Sequence, residues 1–166
     1  FDQSRDVDRR MSQLTTDFAI ALALVLVTLI PLGWRASVVV MASIPLSLAM
    51  GVFILAQLGY SLNQISISGF IISLGLLVDD SIVVTENIER HLREGEDAVA
   101  AAVSGTSQIA LAVLGSTGVL LFAFLPLAFL PEGAGDFVRG LPMAVLVTVA
   151  SSLLVSLTII PFIASR

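Results

Sequence analysis

The sequence predicts an all-α membrane protein, a bundle of five transmembrane helices, and three observations carry that expectation. Apolar residues make up 57% of the 166-residue chain and charged residues only 13%, with a mean hydropathy of +1.01. A soluble domain is about one quarter charged. Uncharged runs recur along the chain at lengths near the ~20 residues that cross a ~30 Å hydrocarbon core. Polar breaks containing Gly, Pro, Asn or Arg separate these runs. The chain reads as one transmembrane helical domain, 1–166, with spans at approximately 8–32, 37–57, 65–90, 100–129 and 140–163.

Asp2 to Arg10 is a charged approach to the first span, which is continuously apolar from Phe18 to Leu32 except for Thr28. Asp17 falls in its outer third, and two readings stay open there. It is either a carboxylate satisfied by water and N–H groups at a helix start or an accessory functional acid. Pro31 and Gly33 end the run, and Trp34-Arg35 read as interface residues. The second span, Ser37 to Gln57, carries no charge and contains Pro45. Proline should bend it, with Ser43 or Ser47 available to the carbonyl left without a donor. Ser47 and Gly51 form a small-residue pair suited to close helix approach. Gly59 to Gln64 is the next break, with Tyr60 as an interface anchor.

The third span holds the costliest residues in the chain, the adjacent carboxylates Asp79 and Asp80. A helix starting near Ser66 puts them roughly 20 Å along its axis, near mid-membrane. Ser66, Gly69, Ser73, Asp80 and Asn87 share one face, and Ser68, Gly75, Asp79 and Glu86 the adjacent one. The two acids point about 100° apart, so both faces are expected to look into the bundle. An intramembrane acid marks an ion or proton pathway by default. The alternative is a structural hydrogen-bonding node between packed helices.

Glu86, Glu89, Arg90, His91 and Arg93 mark the membrane exit. His91 is the one histidine and cysteine is absent, so it reads as a surface or interface residue, with no metal site and no cofactor expected. The fourth span rises from Ala98 to about Phe129 with Gly105, Gly115 and Gly118. Its hydroxyls can bond their own helix, whereas Gln108 should point into the bundle. The last span runs from about Arg139 to Ile163, with Pro142 near its first turn.

Five spans would leave the chain ends on opposite membrane sides, and the arginines divide evenly between those sides, so charge sets no orientation. The chain has no lysine and no basic cluster, which excludes a nucleic-acid partner. Phe1 begins without methionine and its neighbours mix both signs, so no signal peptide is read there. Both ends are expected to be cuts in a longer protein.

Gly75-Leu-Leu-Val-Asp-Asp-Ser-Ile-Val-Val-Thr-Glu-Asn-Ile-Glu-Arg90 resembles the signature of the fourth transmembrane helix of resistance-nodulation-division (RND) efflux transporters, in the hydrophobe/amphiphile multidrug branch. Leu32 to Ala36, Gly59 to Asn63, Phe124 to Phe129 and Leu157 to Pro161 resemble, in order, the turn after helix two, the helix three to four connection, and the ends of helices five and six. The resemblance covers the whole chain, as helices two to six of the N-terminal transmembrane half. It implies a multi-pass protein of the bacterial cytoplasmic (inner) membrane that is an antiporter and not an enzyme. Asp79 and Asp80 match the family's proton relay, and Asp17 stands where many members have a longer glutamate. The resemblance places the Tyr60 connection in the periplasm and Glu94 in the cytoplasm. It also implies a homotrimer with a periplasmic adaptor and an outer-membrane channel, moving protons against hydrophobic small molecules. The periplasmic porter domains and the second transmembrane half, whose lysine would pair with the acids, are absent, so the chain alone is not expected to transport.

Three functional readings follow from the acids. The first is the proton-coupling part of an efflux pump. The second keeps the fold and changes the cargo, as in RND-like exporters of lipid or metal ion. The third is an intramembrane aspartic protease, in which two carboxylates share a proton; this needs its acids on two helices, and the Gly-x-Gly-Asp pattern is missing before Asp79. A purely structural transmembrane module stands beside all three.

Overall fold

Uncharged sequence bounded by strong turn residues folds into long helices. The computed structural model describes residues 34–129 and 138–165, with isolated helical positions at 16, 19, 20, 23, 24 and 27. Helix α1 covers Trp34–Gln57, α2 Gln64–Arg93, α3 Ala98–Ala128 and α4 Gly140–Ala164. No strand occurs among the described residues.

The expectation of five transmembrane helices is corrected to four. Four helices among the described residues are long and apolar enough to cross a membrane, and they begin at Ser37, Gln64, Ala98 and Gly140. The physical reason is the length of the run ahead of them. As sequence, Phe18 to Leu32 is only 15 residues, below the ~20 that cross a ~30 Å core, and most of it lies outside the described residues. Extending it to residue 8 takes Asp8, Arg9, Arg10 and Asp17 into the span. Asp17 itself lies outside the described residues.

The breaks are built by local chemistry. α1 ends with Gly59 at φ 80, whose N–H bonds Ala56 O while Tyr60 N–H bonds Leu55 O. α2 ends the same way, with Gly95 at φ 95 bonding Leu92 O and Glu96 N–H bonding His91 O. In both, glycine supplies the left-handed residue that lets the chain turn back over the last carbonyls. α2 starts with a capping box: Asn63 Oδ1 accepts from Ile65 and Ser66 N–H, and Ser66 Oγ accepts from Asn63 N–H. Asp97 caps α3 by accepting from Val99 N–H.

α2 and α4 form the centre, α1 flanks both, and α3 leans on them by a narrow stripe of Ala101, Ala102, Gly105, Val113 and Thr117. Val40 and Ile44 of α1 pack with Leu74, Leu77 and Val78 of α2. Leu55, Phe70, Ala144 and Val147 join α1, α2 and α4. Val84 and Ile88 meet Val113 of α3 and Ile160 of α4. Small residues permit these approaches: a Cβ on Gly105 would stand 3.0 Å from Ile88 Cα.

Hydroxyls carry the polar part of the core. Ser73, Thr85, Thr148 and Ser151 each donate to a carbonyl of their own helix. Ser43 donates to Val40 O at 2.7 Å and stands 3.0 Å from Ser81 Oγ, which lies 3.1 Å from Ser156 Oγ. Three helices thus meet in one hydroxyl layer. Ser43 is committed there instead of to the carbonyl that Pro45 leaves without a donor. Ser156 sits in a π-helical turn of α4, Val155–Ile159, a local widening that α-helices adopt where an extra residue must be accommodated.

Candidate functional site: the acid pair on α2

Asp79 and Asp80 fall mid-way along α2 with no Gly or Pro in the surrounding turn, so helix geometry alone separates their side chains by about 100°. That angle decides their fates. Asp80 is 8% exposed and lies between the apolar cluster containing Leu77 and the one containing Val84. Its Oδ2 accepts a 2.8 Å hydrogen bond from Thr117 Oγ1 of α3, a residue with no exposed surface. Asp79 is exposed and engages no hydrogen bond or ion pair among the described residues.

The two polar faces expected to look inward therefore part company. Ser66, Gly69, Ser73 and Asp80 are buried, whereas Gly75, Asp79 and Glu86 are exposed. The described helices cover only one side of α2, and Asp79 is on the other. Among the described residues no Lys or Arg stands against either acid, and the described ion pairs all lie at the Arg93 end of α2 or in the connection after it. Among the described residues, no group of three or more His, Cys, Asp or Glu could hold a metal ion. Two cavities of about 390 and 430 Å³ lie elsewhere, one between α3 and the Pro161 end of α4, the other around Tyr60 and Arg139. What the acid site offers is a carboxylate and a hydroxyl that can hold a proton between them.

Thr117 is the site residue that sequence reasoning passed over, having grouped it with hydroxyls that bond their own helix. Its neighbour Ser116 does that, donating to Val113 O. Only the register of α3 against α2 separates the two, and no local signal carries it. Gln108, expected to point into the bundle, is exposed and turned onto the end of α2, where Asn87, Arg90 and His91 surround its carbonyl oxygen. Replacing Thr117 by Val should lower stability by about 1–3 kcal/mol, because a buried carboxylate loses its one described side-chain donor at nearly constant shape. Thr117→Ser should restore most of the loss in detergent unfolding; equal stability of the Val variant and wild type would remove the bond from the account.

The whole chain, residues 1–166, matches the model of the AcrB/AcrD/AcrF family. The chain belongs to that family, a multidrug efflux branch of the RND transporters. It is 34% identical over 168 residues to the multidrug resistance protein MdtC of Pectobacterium atrosepticum, covering 99% of this chain and 16% of that protein. It is 38% identical over 148 residues to MdtC of Escherichia coli K12, covering 89% of this chain and 14% of that protein. The chain thus spans about one sixth of the length of the curated relatives it matches. Membership and the four apolar helices make it a multi-pass segment of the bacterial inner membrane, in a family of transporters and not of enzymes.

Proposed function

We propose that this chain supplies the proton-coupling acids of an RND exporter, with Asp79 and Asp80 as its proton relay and hydrophobic or amphiphilic compounds as cargo. The observation that carries the reading is the setting of Asp80, a carboxylate 8% exposed in the middle of an apolar bundle and held by one hydroxyl. An acid placed where charge is most costly marks an ion or proton pathway by default. The names of the similar proteins, multidrug resistance proteins, support the cargo class.

The open side of α2 fits the rest of the mechanism. Asp79 faces the side where the remainder of the transporter, with its second transmembrane half, would pack and bring a cation. With both acids ionised, that cation draws the neighbouring helix to α2. A proton on Asp80 or Asp79 weakens the attraction, and the helices repack. Thr117 keeps Asp80 oriented in either state, since its hydroxyl can donate to a carboxylate or to the carbonyl oxygen of the acid. A proton gradient then biases a two-state element that moves cargo elsewhere in the protein. The assembled machine in this reading is a homotrimer with periplasmic porter domains, a periplasmic adaptor and an outer-membrane channel.

The test uses the full-length protein in sealed vesicles under an imposed pH gradient, with a hydrophobic fluorescent dye as cargo. Wild type should move dye and protons together and stop when the gradient is collapsed. The variant carrying both Asp79→Asn and Asp80→Asn should insert normally and move neither. Gradient-driven dye export by that double variant would eliminate the relay.

A further inference from the structure

The Arg93 end of α2 carries a cluster that the acid pair does not use. The turn at Gly95 folds the chain back so that Glu96 N–H bonds His91 O, and this brings Glu96 Oε1 to 2.8 Å from His91 Nδ1. On the other side of the ring, His91 Nε2 stands 3.1 Å from Gln108 Oε1 of α3. The orientation of the Gln108 amide is fixed independently. Its Oε1 also accepts from Arg90 Nη2 at 2.7 Å and from Asn87 Nδ2 at 3.1 Å, and both of those groups can only donate. Each ring nitrogen of His91 therefore faces an acceptor, and Nε2 also lies 3.5 Å from the Arg90 Nη2 donor. A neutral imidazole has one N–H to give and an imidazolium has two.

We propose that His91 is a proton-binding site in its own right, whose doubly protonated ring clasps the turn at Glu96 and the start of α3 to the end of α2. The side chain of His91 is 12% exposed and that of Glu96 34%, so water reaches the pair without separating it. Among the described residues the surrounding charges are few. On α2, Arg90 Nη2 lies 3.5 Å from the ring and opposes its charge, while Glu94 at 3.7 Å from Arg90 partly offsets that opposition. Arg93 is paired with Glu89 at 3.6 Å. In the turn stand Glu96 and the cap residue Asp97, and α3 contributes only the neutral Ser104 and Gln108. No charged residue lies on α4 between Gly140 and Ala164.

The site is outside the apolar core. His91 lies about 16 Å further along the axis than Asp80 at ~1.5 Å per residue, beyond the edge of a ~30 Å core that has Asp80 near its middle. The hydrogen bond from His91 holds the Glu96 carboxyl below the ordinary carboxylate range. The clasp consequently has two pH edges. Glu96, with its depressed value, contributes above its unfolded value and loses the bond as pH falls through its folded one; the ring keeps only one of its two bonds as pH rises and its second proton leaves. Between the edges the clasp joins the same two helices that the Asp80–Thr117 bond joins, with Asn87 Nδ2 bonding Gly105 O at 2.6 Å in the interval. The site stands on this geometry alone and is separate from the relay proposed for Asp79 and Asp80.

Two measurements on the full-length protein in lipid nanodiscs test it. In ¹⁵N-histidine NMR, with His91 identified by the signal lost in His91→Gln, both ring nitrogens should be protonated at pH 7, where an unpartnered histidine of pKa about 6.5 is mostly neutral. Amide exchange of residues 94–98, corrected for intrinsic rates, should lose protection about tenfold between pH 7 and pH 9 in wild type, the scale of one partly exposed charge-assisted bond. The loss should be absent in His91→Gln and in Glu96→Gln. A neutral ring at pH 7, or the same tenfold loss in both variants, would overturn the clasp.

Discussion

Asp80→Asn in the full-length protein should abolish proton-coupled export, if Asp80 belongs to the proposed relay, and leave the protein inserted and folded. The amide has nearly the shape of the acid, and its Oδ1 can still accept the 2.8 Å bond from Thr117, so the α2–α3 contact survives. What disappears is titration. The expected fall in coupled transport is ~100-fold or more, the scale on which removal of a positioned proton-transfer group acts. Asp80→Leu makes the contrast. It also removes titration, but it strands the Thr117 hydroxyl in a site without exposed surface and should cost a further ~1–3 kcal/mol of stability. Asp79→Asn should leave stability nearly unchanged, because Asp79 is exposed and has no described partner to lose. The decisive comparison sets gradient-driven dye export beside thermal unfolding for all three variants. Normal export with Asp80→Asn would remove Asp80 from the relay, and unfolding of that variant would make Asp80 a structural node.

Gly69→Val should be the most destabilising single change among the helix glycines named above. A Cβ at Gly69 would stand 2.6 Å from Leu141 O and 2.9 Å from Ala144 Cβ, and the first of these is backbone that no rotamer change can move. α2 and α4 would have to separate beside the cluster of Leu55, Phe70, Ala144 and Val147. Overpacking of this kind costs about 1–3 kcal/mol, and the rigid obstacle puts this site at the upper end. Gly75→Val is the control on the same helix, since a Cβ there meets nothing within 4 Å. It should cost only the weak helix preference of Val, below about 1 kcal/mol against Ala and no worse against Gly. Unfolding midpoints in detergent decide the matter: equal losses at the two positions would mean that the α2–α4 contact is not where stability resides.

The placement of these two positions shows why sequence and structure divided the work as they did. Hydropathy and turn chemistry are local properties, and they are legible residue by residue. The all-α membrane class, the breaks at Gly59 and Gly95, the isolation of Asp79 and Asp80 within an apolar run, and the RND resemblance all follow from adjacent residues. The number of spans was less legible, because a run near the length threshold, such as Phe18 to Leu32, is read as a helix crossing only by including the charges before it. Which residues face each other was not legible at all. In water, a polar stripe would tell the inside of a helix from the outside, but here lipid-facing and core-facing residues are alike apolar. Leu111 and Phe122 are exposed on the same helix that buries Val113.

Azimuth and register were therefore left to tertiary packing. The chain itself determined that two carboxylates would sit in the middle of a membrane helix, since their neighbours in sequence make any other setting unfavourable. Close contact through Gly69 and Gly105 decided that Asp80 turns inward and Asp79 outward, that Thr117 and not Ser116 reaches the carboxylate, and that Gln108 closes on His91. A helix rotation of about 100° would exchange the two acids, and only the shapes of the neighbouring helices resist it.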